Sequence, residues 1–290
     1  MTGVQSVFML VALTRAVPRS IDRCELTHLE REPIDYPRAV EQHAAYEAVL
    51  ERLGCRIERL PDAPELPDSV FVEDTAIVFD EIAVIARPGA ASRREEVEAM
   101  SAALRPYRRL AFIQAPATLD GGDVLVTPRR VFVGITDRTN ADGARQLATH
   151  VAPFGFQVIA VPVSGCLHLK SAVTLAEWLP PSAFARSASA DRRSLGGGWS
   201  GGRSSLLINP DWVDPAIFEG FDLIEVDPAE PMAANVLLID GRVVCAEEYS
   251  ATRRRLEAHG VVTVTVPAGE LAKAEGGLTC GSVIFRLNAA

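Results

Sequence analysis

The chain lacks any long hydrophobic run. None of its apolar stretches approaches the roughly 18–20 residues that a membrane-spanning helix requires. The stretch at residues 7–13 (VFMLVAL) has no basic leader, because the first arginine is Arg15, and no small-residue cleavage site follows it. A secretory signal peptide needs both features. We therefore interpret this stretch as a buried strand, predict no membrane partner and expect a cytoplasmic protein.

Cysteine is scarce and does not occur in metal-binding patterns. The five cysteines are Cys24, Cys55, Cys166, Cys245 and Cys280. They are odd in number and widely scattered, and no two form a C-x-x-C pair. These features argue against a disulfide framework and against a structural zinc site. A cysteine with a function in this chain therefore acts as a free thiol.

Basic residues are in the minority. The chain has 29 Lys and Arg against 38 Asp and Glu, for a formal net charge of −9. A net negative surface offers no attraction to nucleic acid or to an anionic membrane, so we predict neither as a partner. A cationic small molecule suits this charge better. Hydrophobic residues make up 48% of the chain, which is enough for a core and excludes wholesale disorder.

Internal repetition is the main pattern that is present. Five short β-rich segments each end at a proline or just before one, and a proline stops a strand because it lacks the N–H donor of the ladder. Four of the five follow a helix-like segment. The segments are 55–60 before Pro61, 110–115 before Pro116, 157–161 before Pro162, 223–227 before Pro228 and 261–266 before Pro267.

The helix-like segments carry ordinary start and stop signals. The first has a proline near its start, an apolar stripe, and Gly54 as its C-terminal stop. Ser92 and Glu95 match a capping box at the start of the second. The predicted helices are 37–53, 92–104, 139–151 and 250–259.

Pairs of apolar β-like runs follow the prolines. The dipeptide Asp240-Gly241 between two such runs is a strong hairpin signal. The last pair joins the two ends of the chain and so closes a ring. The pairs are 70–79 with 82–86, 124–127 with 130–135, 236–239 with 243–246, and 282–287 with 8–13.

The elements repeat as strand, strand, helix, strand. We predict five such ββαβ units in a closed ring, which is an α/β fold with the plan of a fivefold pseudosymmetric propeller and an active site on its axis. One polar residue of each unit marks that axis. These residues are Asp74, Asp120, His168, Asn235 and Cys280, at successive spacings of 46, 48, 67 and 45 residues. We predict one domain over residues 1–290. The 67-residue spacing is about 20 residues longer than the others, and we place these extra residues in a flexible, low-complexity insertion at about 180–205.

The axial residues combine a thiol, an imidazole and several carboxylates. A Cys–His pair supports covalent catalysis, in which the thiolate attacks an electrophilic carbon and the imidazole moves protons. A free thiol has a pKa of about 8.5, so it needs a neighbouring cation, either His168 or the substrate, to ionise at neutral pH. Carboxylates around a thiol favour a cationic substrate. A guanidinium fits best, because its planar edge matches carboxylates through paired hydrogen bonds.

Motifs along nearly the whole chain resemble those of the dimethylarginine dimethylaminohydrolases. They occur in the family's order, with one His and one Cys in the matching units. The resemblance implies the pentein fold, the fivefold α/β-propeller of the guanidine-modifying superfamily, and so agrees with the repeat. The motifs are 67–75 (PDSVFVEDT), 87–89 (RPG), 92–94 (SRR), 117–124 (ATLDGGDV), 132–134 (FVG), 138–140 (RTN), 167–171 (LHLKS) and 277–280 (GLTC).

The resemblance implies hydrolysis of N-methylated L-arginine, either asymmetric dimethylarginine or monomethylarginine, to L-citrulline and a methylamine. Cys280 is then expected to attack the guanidinium carbon, and His168 to protonate the departing amine and activate water. Asp120 is expected to hold both the guanidinium and the imidazole. Leu26 matches a lid position over the pocket. The thiol does the covalent work, so no metal and no cofactor is implied.

Further positions match the family's substrate-binding residues. The resemblance implies that Glu73 and Asp74 bind guanidinium nitrogens or support that site. It also implies that Arg93 and Arg138 bind the α-carboxylate and that Asp68 lies near the α-amine. Both arginines stand at predicted helix starts, where a cation gains nothing from the helix dipole, and this favours a ligand role. The predicted partner is therefore a cationic guanidino amino acid.

Other functions stay open at this stage. An arginine deiminase or an amidinotransferase acting on another guanidino substrate uses similar residues. A non-catalytic binding module would have lost the Cys, the His or an acid, and a metal site built from His168 and Asp120 is the weaker interpretation. Many relatives have a second Cys after the nucleophile, where this chain has Gly281, so we expect no chemistry from a second thiol. A homodimer also stays open.

Overall fold

Five three-stranded sheets make up the part of the chain that the computed structural model describes, which is residues 8–177 and 204–288. In every sheet the middle strand pairs antiparallel with one neighbour and parallel with the other. In chain order the strands are β1 (Phe8–Thr14), β2 (Cys55–Arg59), β3 (Ala76–Val78), β4 (Ile82–Ile85), β5 (Arg109–Phe112), β6 (Val124–Val126), β7 (Arg130–Ile135), β8 (Gln157–Pro162), β9 (Val173–Glu177), β10 (Ser205–Ile208), β11 (Asp222–Glu225), β12 (Leu237–Ile239), β13 (Arg242–Ala246), β14 (Val262–Val266) and β15 (Val283–Asn288).

The two ends of the described chain meet in one sheet. Four sheets consist of consecutive strands, β3-β4-β5, β6-β7-β8, β9-β10-β11 and β12-β13-β14, and the fifth has the order β15-β1-β2. Its antiparallel pair runs from Phe8 opposite Asn288 to Leu13 opposite Val283. The predicted pairing of 8–13 with 282–287 is therefore confirmed.

Four longer helices connect the middle strand of a sheet to its last strand. They are α1 (Tyr36–Arg52), α2 (Glu96–Leu104), α3 (Ala141–Val151) and α4 (Ser250–Ala258). The Asp35 side chain caps α1 and the Asn140 side chain caps α3, each by accepting from a backbone N–H of the first turn. Shorter helical turns occur at Ile21–Arg23, Ala91–Arg93, Ala152–Phe154, Pro215–Phe218 and Gly269–Ala272.

The sheets surround a central cavity of about 420 Å³. The first strand of every sheet contributes to its wall, and representative lining residues are Ile77, Leu125, Leu175, Leu238 and Ile284. Five apolar clusters each join two neighbouring sheets around the ring, and some of their residues also line the cavity. Burial is thus shared between neighbouring units, which holds the ring together without a separate core for each unit.

The predicted strand at 70–79 is wrong over most of its length. Val72–Thr75 form a helical turn, and only Ala76–Val78 form a strand. The Thr75 hydroxyl donates to the Val72 carbonyl at 2.6 Å. Such local side-chain bonds to the backbone compete with a strand ladder, so the apolar run is buried without being extended.

The predicted capping box at Ser92 is also wrong. The helix α2 begins at Glu96, and Ala91–Arg93 form a separate helical turn. The Ser92 hydroxyl donates to a Glu25 carboxylate oxygen at 2.6 Å instead of capping the helix. A contact with a distant loop has replaced the local cap that the sequence pattern predicts.

Two strands end earlier than predicted, at Phe112 in β5 and at Glu225 in β11.

The predicted insertion at 180–205 lies outside the described residues as far as residue 203, and Ser205 already belongs to β10. Within residues 8–177 and 204–288, no helix combines the length and the apolar composition that crossing a membrane requires.

Candidate active site

One turn of helix stands just ahead of the first strand of every sheet. The turns are Val72–Thr75, Gly121–Asp123, Leu169–Ala172, Pro231–Ala234 and Thr279–Gly281. The turn at Val72–Thr75 contacts both the turn at Gly121–Asp123 and the turn at Thr279–Gly281. The repeat therefore brings side chains from four separate parts of the chain, including Asp120 and His168 directly before their turns, to one end of the central axis.

His168 lies between two carboxylates. Its Nε2 is 3.2 Å from Asp120 Oδ2, and its Nδ1 is 3.8 Å from Asp74 Oδ1. All three side chains are more than nine-tenths buried. A Cβ on Gly122 would stand 2.6 Å from His168 Nδ1 and 2.7 Å from Asp74 Oδ1. Glycine at this position is what allows the imidazole and the carboxylate to approach each other.

Backbone contacts hold the two sides of this arrangement. The Gly89 N–H donates to Asp120 Oδ1 at 2.8 Å, which leaves Oδ2 directed at His168. The Asp123 carboxylate accepts from the Leu169 N–H at 2.9 Å. Because Leu169 follows His168 in the chain, Asp123 fixes the backbone from which the imidazole projects, and it serves as a support for the site.

The carboxylates keep His168 protonated. Burial alone would lower the pKa of the imidazole, but the negative charges of Asp74, Asp123 and Asp120 outweigh burial and raise this pKa to about 9. Burial raises the pKa of Asp123 to about 6. Burial also opposes ionisation of Asp74, yet its cationic neighbours His168 and Arg93 bring the pKa of that carboxyl down to about 2. At neutral pH the centre is thus an imidazolium held by ionised carboxylates.

Cys280 sits in the helical turn of the last unit and is buried. Burial, together with the negative charges of Glu73 and Asp74, raises the pKa of its thiol to about 12. The Gly277 N–H lies 3.3 Å from the sulfur and favours the thiolate. The thiol is therefore neutral at pH 7 in the free protein. A cation placed between the carboxylates and the sulfur would oppose this effect and promote ionisation.

Both carboxylate oxygens of Glu73 contact protein groups, which indicates that Glu73 supports the site. One carboxylate oxygen is 2.5 Å from Lys170 Nζ, and the other accepts from the Thr279 hydroxyl at 2.6 Å. Because Thr279 precedes Cys280, Glu73 ties the turn of the nucleophile to the turn that follows His168. Of the two predicted roles, support of the guanidinium site therefore has the better structural basis for this residue.

Arg93 has protein partners at every side-chain nitrogen. Its Nη1 contacts Asp74 at 2.5 Å, while Nε and Nη2 form a bidentate pair with Glu96 at 3.1 and 2.8 Å. Nη2 also donates to the Phe71 carbonyl at 2.9 Å. The whole group is buried, so Arg93 acts here as the holder of Asp74. Of the two arginines predicted for the α-carboxylate, Arg138 is the better placed.

Arg138 and Asp68 contact the loop that contains Leu26. Arg138 Nη2 donates to the Thr27 hydroxyl at 3.0 Å, and both Asp68 oxygens accept from the Glu25 N–H at 3.2 Å. Leu26 packs against the apolar cluster that includes the Cys280 side chain. The loop therefore lies over these site residues, and the lid role of Leu26 stays a prediction.

The cavity beside Cys280 brings together most of the predicted site residues. Three of them do not line it. Asp120 contacts His168 on the side away from the cavity, and Glu73 faces the central cavity of the ring. Leu26 belongs to the loop over the site. The predicted residues that line the cavity are Asp68, Asp74, Arg93, Arg138, His168 and Cys280.

Three residues that the site depends on had no predicted role: Glu96, Lys170 and Glu275. Glu96 stands three residues after Arg93. This i,i+3 spacing of opposite charges, at the predicted start of a helix, was the one sequence signal that could have indicated the ion pair. Lys170 and Glu275 find their partners far away along the chain, so no local pattern marks them.

Asp74, Asp120 and His168 also place one donor atom each within 4.8 Å of the others, a separation that suits a metal ion. Two of the three are not free to bind a metal ion, since Asp74 pairs with the Arg93 cation and His168 holds a proton. A metal ion would have to displace that proton, so the donor set suits proton chemistry better than metal binding.

Known proteins match this chain over most of its length. A family model described as N,N dimethylarginine dimethylhydrolase, eukaryotic, matches residues 22–171. The N(G),N(G)-dimethylarginine dimethylaminohydrolase of Streptomyces coelicolor is 38% identical over 263 residues, which cover 90% of this chain and 91% of the relative. The chain belongs to the dimethylarginine dimethylaminohydrolase family. The family's enzyme from Pseudomonas aeruginosa is 30% identical over 276 residues, or 94% of this chain and 98% of the relative.

A solved structure of this dimethylarginine dimethylaminohydrolase from Pseudomonas aeruginosa, a cysteine-to-serine variant complexed with citrulline, has the same fold. It aligns with a TM-score of 0.82 at 30% identity and covers 96% of this chain and all of that chain. The predicted family and the predicted pentein fold of five ββαβ units are therefore confirmed.

Proposed function

We propose that this protein hydrolyses N-methylated L-arginine, either asymmetric dimethylarginine or monomethylarginine, to L-citrulline and a methylated amine. The observation that carries the proposal is the His168 imidazole held between Asp74 and Asp120 in the cavity that also contains the Cys280 thiol. Membership of the dimethylarginine dimethylaminohydrolase family and the likeness to a citrulline complex support the same substrate class.

The substrate is a cation at its reacting end. In the proposed complex its guanidinium lies beside Asp74, which lines the cavity and can accept hydrogen bonds from a planar cation, while Asp120 acts on it through His168. Arg138 binds the α-carboxylate, and Asp68 lies near the α-amine. The guanidinium charge also opposes the carboxylates that keep the thiol neutral. Substrate binding thereby lowers the pKa of Cys280, and the thiol releases its proton to solvent.

In the first chemical step the Cys280 sulfur forms a bond to the guanidinium carbon. The bond from that carbon to the methylated nitrogen breaks, and the His168 imidazolium gives its proton to the departing amine. The products of this step are a cationic S-alkylthiouronium on Cys280, a neutral imidazole and a free methylated amine.

In the second step the neutral His168 takes a proton from water. The water oxygen bonds to the thiouronium carbon, the C–S bond breaks, and the electron pair returns to Cys280 as the thiolate. The urea nitrogen loses one further proton to solvent and leaves L-citrulline. The protons released at both stages restore the thiol and protonate the amine, so the net reaction consumes one water.

The test is an activity panel on the purified protein with asymmetric dimethylarginine, monomethylarginine, symmetric dimethylarginine and arginine. Citrulline and the released amine are measured together, and Cys280→Ser serves as the matched inactive variant. We expect equal amounts of citrulline and methylated amine from the first two substrates and none from the variant. No turnover of any substrate would overturn the proposal, while predominant ammonia release from arginine would favour a deiminase. A cytoplasmic location, a homodimer and a single domain over residues 1–290 stay predictions.

A further inference from the structure

A single carboxylate binds three consecutive N–H groups of the loop that covers the site. Thr27, His28 and Leu29 all donate to Glu275, at distances between 2.5 and 3.1 Å. Residues 25–29 form neither helix nor strand, so these amides have no ladder to satisfy them. A carboxylate is a strong acceptor for backbone N–H groups because its hydrogen bonds are charge-assisted. Glu275 is therefore a principal anchor of this loop.

Glu275 belongs to the floor of the site, five residues before Cys280. It is 8% exposed and lines the same cavity as Cys280 and His168. Its backbone φ is 58°, in the left-handed region that residues other than glycine, Asn and Asp rarely adopt. Residues persist in such a conformation where their surroundings over-determine it, and here the side chain reaches across the cavity to the loop.

The closed loop leaves no room for a substrate. The cavity beside Cys280 has a volume of about 10 Å³, which is about the smallest space that holds one water molecule. Leu26, within the loop, packs against the apolar cluster that includes Cys280. A methylated arginine can therefore reach the sulfur only after the loop has moved, and that movement separates residues 27–29 from Glu275.

We propose that Glu275 is a positioning residue that holds the loop of residues 25–29 closed over Cys280. Release of its three hydrogen bonds admits the substrate, and their return excludes bulk water while the thiouronium is hydrolysed. Exclusion of water strengthens the electrostatic interactions inside the site. The inference rests on the proposed function only for the identity of the substrate, because the closure of the loop is a property of the free protein.

The experiment compares hydrogen exchange and thiol alkylation in the full chain and three variants. Glu275→Gln removes the charge, and Glu275→Gly removes the carboxylate while suiting the left-handed backbone. Glu230→Gln is the matched control, because the Glu230 carboxylate likewise accepts from two backbone N–H groups, those of Ala251 and Thr252, at the start of α4. Exchange is followed at the amides of residues 25–29, and alkylation of Cys280 by iodoacetamide is followed by mass spectrometry.

We expect both Glu275 variants to exchange the amides of residues 27–29 at least tenfold faster than the unmodified chain. We also expect iodoacetamide to alkylate Cys280 at least fivefold faster in both, with Glu230→Gln unchanged in these readouts. Unchanged exchange in both Glu275 variants would overturn the inference, and so would a uniform increase over the whole chain. Neither readout requires turnover, so absence of citrulline in the activity panel would overturn the proposed function and leave this inference standing.

Discussion

At the scale of single residues, the site is a chain of buried opposite charges. Glu96 holds Arg93, Arg93 holds Asp74, and Asp74 and Asp120 flank His168. Each member is buried and would be costly to leave alone, because an unpaired buried charge loses its hydration without compensation. The chain of pairs explains how several ionised groups can remain in an interior position.

Removing the charge at one end of this chain should destabilise the protein. Glu96→Gln keeps the size of the side chain but replaces a bidentate ion pair with one hydrogen bond from Arg93 to an uncharged acceptor, so we expect a loss of about 1–3 kcal/mol in the free energy of unfolding. Urea denaturation measures the loss. Glu98→Gln on the same helix is the control, because Glu98 is exposed and should change stability by less than about 0.5 kcal/mol. Equal losses in the two variants would contradict the assignment.

The charge state of His168 predicts a pH dependence of stability. Its pKa rises from 6.5 to about 9 on folding. The stabilisation is therefore fully present below about pH 6.5 and is lost as the pH rises through about 9. At about 1.4 kcal/mol for each pH unit, its size is on the order of 3 kcal/mol.

Denaturation of the unmodified chain and of His168→Asn at pH 6 and pH 10 tests this prediction. Groups remote from His168 titrate alike in both proteins, so the difference between the two unfolding free energies reports the imidazole together with the carboxylates Asp74 and Asp123 that it faces. We expect that difference to shrink by roughly 3 kcal/mol between the two pH values. A difference that grows with pH would show that His168 is neutral in the folded protein.

At the scale of elements, five short helical turns determine where the chemistry occurs. They occupy the same place in each unit, and close contact between them depends on glycine. A Cβ on Gly121 would stand 2.0 Å from the Glu73 carbonyl oxygen, which belongs to the turn of the neighbouring unit. Since this atom is backbone, the two turns must separate to make room.

Gly121→Ala should therefore damage both stability and activity. We expect a loss of about 1–3 kcal/mol in unfolding free energy, as for other overpacked sites, and at least a tenfold lower turnover, because Asp120 precedes the displaced turn. Gly269→Ala is the control, since its nearest neighbour is the end of the flexible Glu248 side chain at 3.0 Å. Thermal melting and the citrulline assay give the two readouts. A melting temperature and turnover equal to those of the control would contradict the close-contact explanation.

At the scale of the whole molecule, the ring closes where β15 lies between β1 and the neighbouring unit. Phe285 of β15 is buried, with its ring centroid 5.3 Å from that of Tyr107 and the Arg108 guanidinium 5.4 Å from its centre. Both partners follow α2 of the second unit. Burial of the Phe285 side chain therefore links the last strand of the chain to the second unit.

Phe285→Ala is expected to cost about 3–5 kcal/mol of unfolding free energy, the usual cost of removing a buried aromatic ring. Phe112→Ala, on a strand residue that is 42% exposed, should cost less than about 1 kcal/mol. Guanidinium denaturation of both variants gives the comparison. Similar losses would show that closure of the ring does not depend on this contact.

Local patterns predicted much of the fold because their causes are local. Strand runs, prolines, helix caps and turn dipeptides act within a few residues, and their repetition revealed the five units and the pairing of the chain ends. Two local predictions were wrong. The capping box failed because the Ser92 hydroxyl bonds to the distant Glu25, and the strand at 70–79 failed because local hydrogen bonds fold Val72–Thr75 into a helical turn.

The sequence by itself determined the family and the ring of ββαβ units, and it predicted which residues carry the chemistry. Only the tertiary structure decided how those residues pair. Arg93, predicted as a ligand of the α-carboxylate, is bonded to Asp74 and Glu96, and Glu275 holds amides almost 250 residues away in the chain. The physical reason is that a buried polar group must find a partner somewhere in the interior, and the ring topology determines which groups are within reach.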